Sequence, residues 1–545
     1  MDRSVCGAGS VAPVLRSFAV RGVVEGFYGT PWTRDARLEV IAFLARRGMN
    51  SYAYAPKDDA RHRAQWRLPY AREELDAFAE LAAHSAQHGV RFGFSIAPGL
   101  DIDYDSPADR STLLGKLEPL RDAGVDWFLL LFDDIPLQPG LALRQGALVS
   151  WLHGELGTDL TTCPTEYVGT HPSPYLAQLD AALPADVDVM WTGPTVCSPQ
   201  LRAVDARGWA RAFGKRRIVV WDNYPVNDAL MTDSLHLGPY RGREPELADV
   251  VGGVLCNPMT QARASQVPLA TAMEFLADPD AYDEDTSWQR AIADVGGDRA
   301  APLGALARAC ADSPIATPDT LDLARRVSAL AEQLTGADWV TPVTELRAEL
   351  TAARAVVDAF PASATGDDLA VEIGPWTAAA RAEAEAGLAA LRLIQAARPV
   401  ATVGADGAGR AAAPDPESAM QTAFVVLFAW KSARADETVV FGPRFAIYTP
   451  VIQLADGAPA LDARAALRED ANAIDALCRL ALRTYDEWRL DAGEPLRIFV
   501  GADERECAPD GGFDARGGTV TVRQGRVATS LAPGIRLPFS DRRLR

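Results

Sequence analysis

The sequence predicts an α/β fold: a (β/α)8 barrel, followed by an α-helical bundle and a small β-rich tail. Three observations predict it. Eight short apolar segments alternate with amphipathic ones from residue 20 onward. The composition then shifts to Ala, Leu, Arg and Glu beyond residue 290. Gly-punctuated strand-like runs close the chain. These divide the 545 residues into 18–285, 290–490 and 496–545, in keeping with a length too great for one ordinary domain.

The predicted strands are residues 21–29, 50–57, 91–99, 126–134, 159–167, 186–193, 217–223 and 251–257. Between them, residues 34–47 carry Leu38, Ile41, Phe43 and Leu44 at helical spacing, residues 72–88 carry Leu75, Phe78 and Leu81, and residues 109–123 carry Leu113, Leu117 and Leu120. Gly48, Gly89 and Gly124 follow these helices, where a left-handed C-terminal residue is expected. The connection 224–250 is irregular and reads as loop. An open doubly wound sheet would carry a Gly-rich phosphate turn after its first strand, and "EGFYGTPW" is not one.

Composition narrows the function. A net charge of −19 argues against nucleic acid or an anionic membrane as partner. The seven cysteines are scattered without CxxC spacing, which predicts neither a disulfide framework nor a zinc site. The N-terminus lacks a continuous apolar stretch, and no run is long enough to span a bilayer. The expectation is a cytoplasmic protein that uses no cofactor.

In a TIM barrel the chemistry sits at the C-terminal ends of the strands. Those ends carry Gly26 and Tyr28, then Lys57 with Asp58 and Asp59, then Asp133 and Asp134. Glu166 and Tyr167, Trp191, Trp221 and Asn223, and Asn257 complete the ring. Asp133 and Asp134 have Cα atoms about 3.8 Å apart. Two charges so close repel, so one is expected to retain a proton, as a general acid must. The bland alternative is a helix cap, but Pro136 and Pro139 follow. Lys57 is one of only four lysines. It reads as a substrate contact, as a partner of Asp58 or Asp59, or as a Schiff-base amine. Tyr28, Tyr167, Trp191 and Trp221 fit either a core or the walls of a sugar site. Asn223, Asp228 and Asn257 read by themselves as turn formers. His62 and Arg63 of "RHR" read as a solvated face.

The run "RGVVEGFYGTPW", "YAPKDDARHRAQWR", "FSIAPG", "LLLFDDI", "CPTEY", "WTGP", "WDNYPVND", "LGPYRGR" and "NP" resembles the catalytic domain of family 84 glycoside hydrolases. These are β-N-acetylglucosaminidases that include the protein O-GlcNAcases, some once called hyaluronidases. The resemblance covers about residues 18–280, in order. It implies a retaining mechanism in which the substrate's own 2-acetamido oxygen attacks the anomeric carbon and forms an oxazoline. Asp133 would then orient the acetamido N–H, and Asp134 would act as general acid and base. Tyr167 and Asn223 would hold the acetamido group and Asp133, Tyr28 would line its pocket, and Trp221 would wall it. Asp228 and Asn257 would bind hydroxyls on the far edge of the ring, and Lys57 and the backbone at Gly26 another hydroxyl. The implied partner is a β-GlcNAc glycoconjugate. A homodimer is also implied, since in dimeric members the helical domain can overhang the partner's active site. With the barrel starting near residue 20, no α/β domain is expected ahead of it, and no acetyltransferase-like domain behind it. The rival functions are a Schiff-base lyase using Lys57 and a non-catalytic GlcNAc-binding barrel.

Behind the barrel, Leu323, Val327, Leu330 and Leu334 share a helical face, as do Ile474, Leu477, Ala481, Tyr485 and Trp488. Further helices are predicted at 342–360, 376–397 and 416–434, with a linker at 402–418. The segment 441–454 reads as an ordered loop or a buried packing segment.

Overall fold

A computed structural model describes residues 16–214, 216–311, 313, 322–334, 338–363, 366–398, 415–434 and 473–491, together with the short strands between 451 and 536 given below. Eight parallel strands close into a barrel in chain order, with the first paired to the last. They are β1 (Val20–Glu25), β2 (Ser51–Tyr54), β3 (Arg91–Ile96), β4 (Trp127–Leu131), β5 (Asp159–Cys163), β6 (Asp188–Trp191), β7 (Ile218–Asp222) and β8 (Gly253–Cys256). The outer layer holds α1 (Arg34–Ala45), α2 (Arg72–Gln87), α3 (Pro107–Asp122), α4 (Leu141–Leu156), α5 (Pro174–Ala182), α6 (Ala203–Ala210) and α7 (Ala262–Ala277). The connection from β7 to β8 contains only two short 3₁₀ turns, Ala229–Met231 and Pro245–Asp249.

The period-two pleat sorts the strand residues into two buried layers. Val24, Ala53, Trp127, Leu129, Leu131, Val219, Trp221 and Leu255 belong to one apolar cluster, as expected of a filled barrel interior. Their sequence neighbours Val23, Tyr52, Phe128, Leu130 and Val220 join the layer beneath the helices. The expected helix stops are in place: Gly48, Gly89 and Gly124 have φ of 90°, 70° and 102°.

The strands are shorter than the sequence predicts, and the longest losses are at their C-terminal ends. Segments read as running to Gly29, Lys57, Asp134 and Tyr167 leave the ladder at Glu25, Tyr54, Leu131 and Cys163. The reason is visible at β1, where the Gly26 amide turns to Val24 O (2.8 Å) and to the Asn257 side chain (3.1 Å). Residues that read as strand ends are the loops of the barrel mouth.

Among the described residues, seven further helices follow: α8 (Glu284–Gly296), α9 (Ala300–Ala309), α10 (Asp322–Gln333), α11 (Val340–Ala359), α12 (Asp368–Ala397), α13 (Pro416–Arg434) and α14 (Ala473–Asp491). Helix α12 packs against α11, α13 and α14 and also against α7 of the barrel. It begins earlier than the predicted 376, with Pro375 inside it. An internal proline forfeits one helical bond. Burial of Ile373, Trp376, Ala379 and Ala380 on the same helix outweighs that loss.

Residues 402–414 of the predicted linker, and 441–450 of the segment 441–454, lie outside the described residues. From Val451 that segment is not loop but strand: β9 (Val451–Ala455) pairs antiparallel with β10 (Ala458–Asp462). The tail forms β11 (Leu496–Val500), β12 (Asp503–Cys507), β13 (Gly512–Ala515), β14 (Gly518–Arg523), β15 (Arg526–Ala528) and β16 (Ile535–Arg536), in two three-stranded sheets. Among the described residues, no helix is long and apolar enough to cross a membrane.

Candidate active site

Strand β4 is buried along its whole length and drives straight into Asp133 and Asp134. In an extended strand successive side chains point to opposite faces. Here Asp134 adopts φ 56°, a left-handed conformation unusual for a non-glycine residue. The bend lets both carboxyl groups reach one cavity of about 340 Å³ at the barrel mouth. Gly26, Tyr28, Lys57, Asp133, Asp134, Tyr167, Trp221, Asn223, Asp228 and Asn257 all line that cavity.

The two aspartates differ sharply. Asp133 is 9% exposed, and its Oδ2 is ion-paired with Lys57, which is 2% exposed. Its Oδ1 is buried with no hydrogen-bond partner among the described residues. Burial by itself would raise the Asp133 carboxyl. The charges of Lys57 and Arg63, with the Lys57 hydrogen bond, outweigh burial and hold it below the usual carboxylate range. The expected repulsion within the pair is therefore met by two cations, and Asp133 is not the member that keeps a proton. Asp134 is 32% exposed. The Tyr167 hydroxyl donates to its Oδ1 (2.7 Å) and the Tyr28 hydroxyl to its Oδ2 (2.8 Å).

Lys57 does not pair with Asp58 or Asp59. Asp58 accepts the Gly29 amide (2.9 Å), and Asp59 accepts the hydroxyls of Tyr54 and Tyr70 (both 2.8 Å). The Lys57 ammonium instead lies over the Trp221 ring, 5.1 Å from its centroid, and is engaged by Asp133. An amine held in that pair is not free to attack a carbonyl, which argues against the Schiff-base reading.

The opposite wall is a mesh of short polar bonds from β7 and β8. The Asn223 Oδ1 accepts both the Trp221 indole N–H (3.0 Å) and the Asn257 amide (2.9 Å). Asn223 donates to Val196 O (2.8 Å). No bond joins Asn223 or Tyr167 to Asp133, against expectation: Asp133 Oδ1 has no partner among the described residues, Oδ2 faces Lys57, and Tyr167 holds Asp134 instead. Asn223 thus fixes the wall of the pocket, not the acid. Gly26 must be glycine, because a Cβ there would lie 2.1 Å from the Trp221 ring. Asp228 accepts the Tyr28 amide (2.8 Å), and burial pushes its carboxyl up. Beneath the wall, Asp222 is held by Arg243 Nε (2.8 Å) and by the Tyr240 hydroxyl (2.6 Å).

Four strand-end candidates fall outside the cavity, Asp58 with its bond from the Gly29 amide among them. Trp191 is fully buried, stacks 6.0 Å from Trp209 and donates to Gly169 O (2.9 Å). Glu166 accepts the hydroxyl of Ser173, the N-cap of α5. Asp59 organises the β2 loop. In the other direction, "RHR" is not a solvated face: His62 is fully buried and Arg63 is 8% exposed. The Arg63 Nη1 donates to the Tyr28 hydroxyl (2.6 Å) and lies 4.0 Å from Asp134 Oδ2. Its only sequence signal was its place in the loop after β2, six residues beyond Lys57. Cys163, Cys197 and Met231 also line the cavity without any prior signal. Among the described residues, no group of His, Cys, Asp and Glu is arranged to hold a metal ion.

Comparison with known proteins agrees with this geometry. The model of the β-N-acetylglucosaminidase family matches residues 21–308. The Protein O-GlcNAcase of Mus musculus is 37% identical over 286 residues, covering 49% of this chain and 31% of the mouse protein. The Rattus norvegicus protein matches to the same extent. The match thus spans less than a third of the length of these relatives. A structure of a Thermobaculum terrenum O-GlcNAc hydrolase mutant superposes with a TM-score of 0.69 at 26% identity, covering 87% of this chain and 96% of that one. A structure of CpGH84B gives the same TM-score at 27% identity, covering 78% and 75%. Matched over more than half of its length, the chain belongs to the β-N-acetylglucosaminidase family of glycoside hydrolases.

Proposed function

We propose that the protein is a retaining exo-β-N-acetylglucosaminidase that removes terminal β-linked GlcNAc, including GlcNAc on Ser or Thr. It would work through an oxazoline intermediate formed by the substrate's own acetamido group. The observation that carries this reading is the divided state of Asp133, which lines the cavity: one oxygen is paired with Lys57, and the other is buried with no partner among the described residues. A buried, ionised acceptor with an unfilled bond is costly unless a ligand fills it. An acetamido N–H supplies the missing donor.

The chemistry follows from the two environments. Asp133 stays charged beside Lys57 and Arg63. It accepts the acetamido N–H, turns the carbonyl oxygen towards the anomeric carbon and offsets the positive charge of the forming oxazolinium. Asp134, at the solvent edge, gives its proton to the leaving oxygen and later takes one from the water that opens the ring. The substrate brings the nucleophile, so two adjacent carboxylates suffice where other retaining glycosidases place theirs across the sugar. Trp221 walls the acetamido pocket. Tyr28 and Tyr167 hold Asp134, while Lys57, Asp228, Asn257 and the Gly26 backbone face the ring hydroxyls. No cofactor takes part. The buried free thiols of Cys163, Cys197 and Cys256 support a reducing, cytoplasmic setting.

The test is turnover of aryl β-GlcNAc and β-GalNAc glycosides and of GlcNAc-bearing glycopeptides, with a thiazoline mimic of the oxazoline as inhibitor. Hydrolysis with retained anomeric configuration and inhibition by the thiazoline are expected. Binding of GlcNAc without any turnover would replace this reading with the lectin, and borohydride trapping of a carbonyl substrate on Lys57 with the lyase.

A further inference from the structure

We propose that Arg63 is a positioning residue for Asp134, acting through Tyr28, and that this relay keeps a hydrogen-bond donor and a positive charge against the Asp134 carboxyl. The inference builds on the glycosidase reading above, since it presumes that Asp134 exchanges a proton with the substrate.

The direction of the relay is dictated by hydrogen count. A guanidinium only donates, and a phenol has one hydrogen to give. The Tyr28 oxygen receives Arg63 Nη1 at 2.6 Å, so its own hydrogen is spent on Asp134 Oδ2 at 2.8 Å. Burial and the neighbouring Asp134 raise the Tyr28 phenol, which keeps that hydrogen in place. The Arg63 guanidinium also lies over the Tyr28 ring, 5.5 Å from its centroid, and restricts how the ring can turn. With Tyr167 donating to Oδ1, both oxygens of Asp134 are acceptors in the resting site. That arrangement fixes how the carboxyl stands in the cavity, and Arg63 at 4.0 Å places a positive charge beside it.

Arg63 is itself built in. Asp59 Oδ1 accepts the Arg61 amide (2.9 Å), and the Asp59 carbonyl accepts that of His62 (3.0 Å). The His62 carbonyl accepts the Ala97 amide (3.0 Å), and its ring meets Ser95 Oγ (2.7 Å). The turn that presents Arg63 is thereby pinned on both sides to β2 and β3.

The groups that face Asp134 come from five places. Tyr28 stands on the β1 loop, and Lys57 and Arg63 on the β2 loop. Asp133 is its neighbour after β4, Cys163 and Tyr167 come from β5, and Asp228 from the β7 loop. Asp133 and Asp228 disfavour a further negative charge, while Arg63 and Lys57 oppose them. Arg63 is the cation joined to Asp134 through a hydrogen-bonded bridge, and Lys57 is engaged by Asp133.

The experiment is the pH profile of kcat/KM for the full chain, on aryl β-GlcNAc substrates with good and poor leaving groups. Arg63→Met is expected to move the alkaline limb up by about one pH unit, the size expected for loss of a close opposite charge. Tyr28→Phe should move the same limb in the same direction, and the double variant should move it by less than the sum. Arg63→Lys should restore part of the shift. A uniform loss of rate with the limb unmoved would assign Arg63 to the scaffold and overturn the proposal, as would additive shifts in the double variant. If Arg63→Met does not fold, movement of the limb in Tyr28→Phe and Arg63→Lys decides the matter. Wild-type turnover separates the two claims: an active wild type with unmoved variant limbs refutes the relay alone, and an inactive one refutes both.

Discussion

Two buried aspartates stand at the mouth of the same barrel, Asp222 at the end of β7 and Asp133 just past the end of β4. Each faces a buried cation. Asp222 is closed: Arg243 binds both of its oxygens, Tyr240 adds a third bond, and Asp222 and Arg243 are each 1% exposed. Asp133 is open: Lys57 takes one oxygen, and among the described residues no group takes the other. The same residue type at the same level of the fold thus serves two ends. A saturated carboxylate holds the wall on which Trp221 and Asn223 stand, whereas an unsaturated one leaves an acceptor unfilled on a residue that lines the cavity. Counting filled acceptors separates scaffold from chemistry where burial and charge do not.

The contrast breaks most clearly under Asp133→Asn. Its amide keeps the volume but cannot accept the acetamido N–H as a charged partner. Activity should fall about 10³-fold, or about 4 kcal/mol in the barrier, while the thermal midpoint moves less than in the Asp222 variant. Steady-state kinetics beside a melting curve checks it, and near-normal kcat would dissolve the distinction. Asp222→Asn should show the opposite balance. Arg243 would be left buried without its counter-ion, at a cost of about 3–5 kcal/mol of stability, read as a lowered denaturation midpoint. The folded fraction should keep most of its turnover per molecule.

A third buried carboxylate sharpens the comparison at lower amplitude. Glu372 on α12 accepts the amides of Arg263 (2.8 Å) and Ala264 (3.0 Å) in the first turn of α7, joining the helical region to the barrel. Burial pushes its carboxyl up to about 7 from an ordinary 4.5, against those bonds and the charge of Arg263. A raised carboxyl means the folded state binds more protons than the unfolded one between these values. Its contribution therefore favours folding below the unfolded value and is lost as pH rises through about 7. Glu372→Gln should remove about 2 kcal/mol of this pH dependence, measured as the difference between variant and wild-type midpoints at pH 5 and pH 8. Parallel curves would show that Glu372 does not titrate in that window.

Much of the site was legible because a barrel converts order along the chain into place around a ring. Eight apolar segments with acids, amides and aromatics at their ends carry those residues to one mouth, whatever the details of packing. Hence the ten residues from Gly26 to Asn257 share a cavity. What escaped reading were the choices made across the ring. Lys57 has Asp58 and Asp59 beside it in the chain, yet pairs with Asp133, 76 positions away. Arg63 and His62 look solvated in a polar run, yet are buried because that run folds inward between β2 and β3. Trp191 ends β6 and Trp221 stands one residue before the end of β7, but one packs on Trp209 in the outer layer and the other faces the cavity.

By itself, the amino-acid order determined the eight βα units, the glycine stops and the adjacency of Asp133 and Asp134, because pleat, helix period and capping act over a few residues. Only closure of the barrel decided which acid is paired and which hydrogen-bond acceptor stays unfilled, because those depend on which strand ends come to face one another.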